Sequence, residues 1–208
     1  MTENCAKKGR PKAVIDSELR QMIAQEASRL FLVKGYGATT TEEIAAYCKI
    51  SKQTLYRLFA GKLALFAAVV ELKRPQWLDM QVPDNLPLPT TLEMFFRIDL
   101  SEDEERERIR FLEMTLAEGR LYPELSEVLK KCGSEEAHRV LAGWMQCQAD
   151  KGYLRLAGDA LSTAHMLTDM VFGSFLRQTI GAVEWRRGED RRKHISAVIR
   201  VFLHGVSC

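Results

Sequence analysis

An all-α fold is the architecture this sequence predicts: an N-terminal three-helix domain, then a C-terminal helical bundle, about nine helices in total. Three observations carry the prediction. Apolar residues recur at the three-and-four spacing of one helix face along nearly the whole chain. Helix start and stop signals fall where that periodicity breaks. Strand-like alternation is almost absent, and no segment repeats. With 208 residues, the chain is long enough for one large or two small domains with a real core.

Residues 1–14 are polar and basic, with Gly9 and Pro11 opposing regular structure, and read as a flexible arm. From Asp16 the pattern is helical. Leu19, Met22, Ile23, Ala27, Leu30 and Phe31 share one face, and Lys34-Gly35 is a stop signal. Thr40 with Glu43 fits a capping box that opens a short helix over 41–48. Ser51 is a good N-cap for a third helix over 52–59, which turns Leu55 and Phe59 inward and ends at Gly61. A fourth starts near Lys62, carries Leu63, Phe66, Val69 and Val70, and runs to about Met80. Pro83, Pro87 and Pro89 then break the chain. Helices are expected over 90–100, over 102–121 with an acidic first turn, over 123–151 with Pro123 at its start, and over 158–180 and 189–204.

Composition narrows the function. No apolar run approaches the roughly 20 residues of a membrane helix. The N-terminus MTENCAKKGRPK lacks the apolar stretch of a signal peptide. Five scattered cysteines, with no C-x-x-C pair, support neither a zinc knuckle nor a disulfide framework, so a cytoplasmic protein with reduced thiols is expected. No Gly-rich phosphate loop, metal-ligand cluster or nucleophile motif points to an enzyme, and no cofactor or metal is called for. Glu113 and Glu118 do not make a matched acid–base pair, and His165 with Asp169 would need further ligands to hold a metal. Charge is uneven. Residues 1–62 hold 11 Lys/Arg against 6 Asp/Glu, and residues 63–208 hold 19 against 22. The basic end suits a polyanion.

Three short helices joined by tight connections, the last two about three residues apart, have the organisation of a helix-turn-helix. The second helix of such a pair lies in the major groove of duplex DNA, so its exposed face must offer donors and acceptors. Here that face is Lys52, Gln53, Thr54, Tyr56 and Arg57. An ordinary solvated helix face would read the same way.

The run from Thr39 to Val70 decides between the two. Thr40-Thr41, Ile44-Ala45, Ile50-Ser51, Leu55-Tyr56, Phe59, Lys62 and Leu65-Phe66 resemble the DNA-binding signature of TetR-family regulators. Ala27 to Gly35, Tyr36 and Thr39 fit the end of that family's first helix. The resemblance implies a dimeric, sequence-specific DNA-binding regulator. In it, Thr41, Tyr56 and Lys62 hold phosphate, and Lys52, Gln53 and Thr54 read base edges. Ser51, at the head of the recognition helix, joins the DNA-binding set. Lys49 stands where the family commonly has glycine. It is expected to adopt a positive φ and to reach a phosphate. Leu58 replaces a frequent histidine and is expected to pack. The arm KKGRPK resembles an AT-hook core, which would lay Arg10 into an A·T-rich minor groove. A ligand-independent or architectural DNA-binding protein using that arm is the alternative.

The same resemblance implies paired C-terminal helices and an enclosed site for a small hydrophobic or amphipathic effector. Leu167, Met170, Val171, Ser174, Ile195, Val198, Ile199 and Phe202 are the expected homodimer interface. Phe96, Phe111, Met114, Trp144, Met145, His165, Met166, Asp169 and Phe172 are the pocket candidates, with ordinary core as the alternative for each. The segment Leu116 to Leu125, in which Ala-Glu is followed by Pro-Glu-Leu, resembles a stretch in one subgroup's ligand domain. The chain therefore divides into a basic arm (1–14), a DNA-binding domain (15–62) and a ligand-binding and dimerisation domain (63–208). Its expected partners are a palindromic DNA operator, a second copy and an effector, with no membrane. Release of the operator by the effector would make it a repressor.

Overall fold

The structure, a computed structural model, describes residues 12–78, 81, 85–156, 158–178 and 188–206. Among them are nine helices and no β-strand. They are α1 (Lys12–Lys34), α2 (Thr41–Tyr47), α3 (Lys52–Leu58), α4 (Lys62–Trp77), α5 (Leu88–Phe95), α6 (Glu102–Glu118), α7, α8 (Ala160–Gln178) and α9 (Gly188–Val206). Helix α7 comprises Pro123–Leu129, a π-helical turn at Lys130–Ser134, and Glu135–Asp150. The all-α expectation holds, with helix ends within a few residues of those expected. Helix α1 begins earlier than Asp16, and α4 stops short of Met80 with Pro75 in its last turns. Periodicity gave no sign of the π turn, because one extra residue in a long amphipathic pattern leaves both flanks periodic.

The chain forms two compact units, Met1–Leu72 and Lys73–Cys208, with the boundary inside α4. In the first unit, α1 contributes Ile23, Ala27, Leu30 and Phe31, α2 contributes Ile44 and Ala45, and α3 contributes Leu55. Phe59 follows from the turn, and α4 adds Leu65, Phe66, Val69 and Val70. Phe31, Tyr36 and Phe66 pack with ring centroids 5.4–6.1 Å apart. Burial of each such side chain contributes on the order of 2 kcal/mol. Met22 and Leu63 depart from the expected inward face. Both are exposed, and Ala24 occupies the buried side of α1 near Met22. Leu58 is buried, as its place in the sequence suggested.

The second unit is built around Leu92, Phe95 and Phe96 of α5, Leu141, Trp144 and Met145 of α7, Leu167 and Val171 of α8, and Ile195, Ile199 and Phe202 of α9. This core takes up most of the residues expected at the dimer face. Leu167, Val171, Ile195, Val198, Ile199 and Phe202 are buried within their own chain, whereas Met170 is exposed. The outward side of α8 carries Leu161, Met166 and Met170, and that of α9 carries Ala197 and Val201. The side chain of Ser174 lies outside the described residues.

Candidate nucleic-acid interface and ligand cavity

Local sequence sets the α2–turn–α3 geometry. Thr40 is extended (φ −109°, ψ 156°), and its hydroxyl accepts from the Glu43 amide at 3.1 Å. This satisfies a donor that the helix cannot. The Glu43 carboxylate meets Lys34 at the end of α1. Helix α2 closes in a Schellman arrangement: the Lys49 amide donates to the Ala46 carbonyl at 3.1 Å and the Ile50 amide to Ala45 at 3.0 Å. Lys49 takes the left-handed conformation this requires, with φ 53°. Ser51 then caps α3, accepting from the Thr54 amide at 3.0 Å. The four-residue connection, Cys48 to Ser51, is thus specified by a cap on each side.

Those caps bring several expected contact residues together. The Tyr56 and Thr41 hydroxyls lie 3.1 Å apart, one on each helix of the pair. Thr41 is largely buried and also donates to Glu42 at 3.0 Å, whereas Tyr56 is exposed. Lys52 and Gln53 are exposed at the head of α3. Thr54 is half-buried, with its hydroxyl 2.8 Å from that of Ser51. Lys49 is exposed on the turn. Lys62 heads α4, donates to the Gly37 carbonyl at 3.0 Å and sits 4.3 Å from the Tyr36 ring centre. Arg10 lies outside the described residues.

Two partners were not legible in the sequence. Glu42 pairs with Lys52 across the two helices. The Lys52 ammonium, helped by backbone amides and Thr41, holds the Glu42 carboxyl down at about 2, and Glu42 in turn raises Lys52. Asp16 clamps Arg57 in a two-pronged pair at 2.7 and 3.0 Å, tying α1 to α3. The Arg20 guanidinium lies 4.3 Å from the Phe59 ring centre and donates to the Leu58 carbonyl. It anchors the end of α3 in the same way.

The second unit holds a half-open cavity of about 430 Å³. Its walls come from the end of α4 (Arg74, Leu78), from α6 (Arg108, Leu112, Thr115, Leu116), from α7 around its π turn (Ser126, Leu129, Lys130, Gly133, Ser134, Ala137, His138) and from α8 (Thr168, Asp169, Phe172). Arg108 is buried, with its guanidinium 4.8 Å from the Phe172 ring centre. Burial, then the neighbouring Arg191, push it down to about 9, against the pull of Glu105. Arg191 and Glu105 are buried together at 3.5 Å, and the Gly188 amide at the head of α9 donates to Glu105 at 2.8 Å. His138 stacks edge-on against His165 at 4.1 Å. Burial first, then His165, hold its imidazole below the ordinary value.

Of the nine pocket candidates, Asp169 and Phe172 line this cavity. Phe96, Phe111, Trp144 and Met145 are buried away from its lining. Met166 and His165 are exposed, and Met114 is half-buried. Arg74, Arg108 and Lys130 were missed. Helical spacing puts Arg108 on one side of α6 with Glu105, Phe111, Leu112 and Thr115, but carries no sign that this side meets a cavity.

Comparison with known proteins gives a consistent set of likenesses. Residues 23–69 match the family described as bacterial regulatory proteins, tetR family. Residues 99–205 match the AefR-like transcriptional repressor, C-terminal domain. The HTH-type transcriptional regulator QacR of Staphylococcus aureus is 32% identical over 78 residues, 38% of this chain and 42% of QacR. The uncharacterized HTH-type regulator YuxN of Bacillus subtilis is 42% identical over 53 residues, 26% of this chain and 18% of YuxN. The matches thus span less than half of these curated relatives. Among solved structures, a TetR-family regulator of Mesorhizobium loti superposes with a TM-score of 0.73 at 23% identity, covering 93% of this chain and 98% of its own. The flavonoid-responsive regulator FrrA gives 0.65 at 25% identity, covering 92% and 98%.

Proposed function

Because the chain belongs to the TetR family of bacterial regulatory proteins, whose members are DNA-binding transcriptional regulators, we propose that it is a repressor released from a palindromic operator by a small molecule. The observation that carries the DNA-binding part is the Thr41–Tyr56 hydroxyl pair, 3.1 Å apart, beside exposed Lys52 and Gln53. Two hydroxyls and an ammonium within one turn of each other suit a phosphate. Gln53, without a charge to neutralise, suits a base edge. Lys49 and Lys62 extend the phosphate track on either side, and Ser51 and Thr54 fix the head of α3. Arg10 would follow the adjacent minor groove.

Dimerisation supplies the second recognition helix that a palindrome needs. The face proposed for it is the outward one: Leu161, Met166 and Met170 of α8 with Ala197 and Val201 of α9. These apolar residues are exposed at helical spacing. The 430 Å³ cavity is the proposed effector site, its size being that of ordinary small-molecule pockets. SmeT, a repressor of a multidrug efflux pump that shares this fold, has been solved with triclosan, and FrrA is flavonoid-responsive. Those likenesses support a ligand-responsive reading here. Helix α4, which carries Lys62 at one end and Arg74 at the other, is the covalent link through which occupancy would act.

The test is selection of the purified protein on a random duplex library, with sequencing of the bound fraction. An enriched palindrome with two half-sites is expected, and Gln53→Ala should relax base preference within the half-site. Enrichment of A·T-rich DNA without a palindrome would instead support an architectural role for the arm.

A further inference from the structure

The cavity of the second unit is not neutral. Three cations line it, Arg74, Arg108 and Lys130, against one carboxylate, Asp169, which is exposed. The cations differ in what satisfies them. Lys130 stands 3.8 Å from Glu135 and is well exposed. Arg108 is buried and lies over the Phe172 ring. Arg74 donates one terminal nitrogen to a neutral partner, the Cys132 carbonyl in the π turn, at 2.8 Å. Its Nε is buried and has no hydrogen-bond acceptor. A buried guanidinium donor left without an acceptor is costly, and a ligand acceptor relieves that cost. The neighbouring hydroxyls have spent their protons within the protein. Thr115, Ser134 and Thr168 each donate to a carbonyl of their own helix. Ser126, Gly133 and His138 also line it, and the other walls are apolar: Leu78, Leu112, Leu116, Leu129, Ala137 and Phe172.

We infer that this cavity takes an amphipathic organic anion, such as a carboxylate, with its charged group held by Arg74 and Arg108 and its apolar body lying against Leu112, Leu116, Leu129 and Phe172. The inference rests on reading the cavity as the effector site. Guanidinium groups favour carboxylates through charge-assisted, paired hydrogen bonds. A ligand amine would meet two like charges at the same place. An alcohol could accept one hydrogen bond but would carry no charge to set against them.

Calorimetry on the full-length protein tests this with three probes that differ only in head group, decanoate, decanol and decylamine, each kept below its micelle threshold. Decanoate is expected to bind about tenfold or more tighter than decanol, with decylamine weakest. Arg74→Gln, a change at a half-buried position, should bring decanoate to within about twofold of decanol. The wild-type series stands alone if the variant folds poorly. Decanol binding as tightly as decanoate, decylamine binding tightest, or no saturation by decanoate would each overturn the inference. Operator binding measured in parallel separates the two readings. Decanoate binding in the expected order with DNA affinity unchanged leaves the ligand class standing and removes the effector role. DNA release by a neutral compound, with decanoate inert, does the reverse.

Discussion

Lys49 and Glu42 show what one residue can and cannot disclose. The left-handed backbone at Lys49 was legible through the family resemblance, in which glycine commonly stands at that position. A non-glycine side chain there costs about 1 kcal/mol. Lys49→Gly should therefore raise stability by roughly 0.5–1 kcal/mol in thermal denaturation. It should also weaken DNA binding, because a phosphate-reaching charge is lost. Unchanged affinity would remove Lys49 from the interface. Glu42 was not legible, since its partner Lys52 is ten positions on and a sequence carries no cross-helix distances. That carboxylate pairs with the ammonium proposed to meet DNA. Glu42→Gln is expected to tighten operator binding roughly two- to fivefold at low salt, less at high salt, by fluorescence anisotropy. Weaker binding by the variant would mean that Lys52 does not face phosphate.

Helix ends were the most legible elements and helix faces the least. Caps are local chemistry: Thr40 and Ser51 each accept the amide three residues on, as their spacing implied. Ser51→Ala should cost about 1 kcal/mol in urea denaturation and loosen the head of α3. Faces depend on what lies opposite. In α8 and α9 an apolar stripe fits either a core or a partner, and the sequence holds no information about which side is already covered. The buried charges of α6 escaped for a related reason, since Arg108 becomes a wall residue only once α7 and α8 surround it. Between those helices His138 provides a pH test. Its imidazole is held below the ordinary 6.5 by burial and by His165, with Asp169 and Glu135 opposing. The unfolded chain therefore takes up more protons as pH falls through about 6.5. Stability is complete above that value and declines below it. Urea midpoints from pH 7.5 to 5.5 should fall for the wild type and fall less for His138→Gln. Parallel decline in both would assign the effect to other groups.

At the scale of the molecule, the division at Leu72 and Lys73 separates the residues proposed to read DNA from those lining the cavity. The sequence anticipated two parts but placed the boundary at the head of α4, because Gly61 is a visible break and the middle of a helix is not. The outward face of α8 and α9 gives the prediction proper to this scale. Met170→Glu or Val201→Glu puts a charge on an exposed apolar face without touching the core. Sedimentation should shift from dimer to monomer, and operator affinity should drop by about a hundredfold as the two half-sites lose their linkage. A variant that remains dimeric would place the interface elsewhere.

The π-helical turn at Lys130–Ser134 also has a genetic meaning. It is one residue more than the α-helix around it needs, so loss of a single codon would leave both flanks helical. A π turn spends about one residue more than an α turn on the same rotation, so Glu135–Asp150 would keep its faces relative to Pro123–Leu129. His138 and Ala137 would stay on the cavity wall, and the stretch around Lys130, Gly133 and Ser134 would be remodelled. Every residue proposed to face DNA is encoded upstream of that point. An in-frame loss of one codon there would change the wall of the proposed effector site and leave the proposed DNA-reading residues untouched.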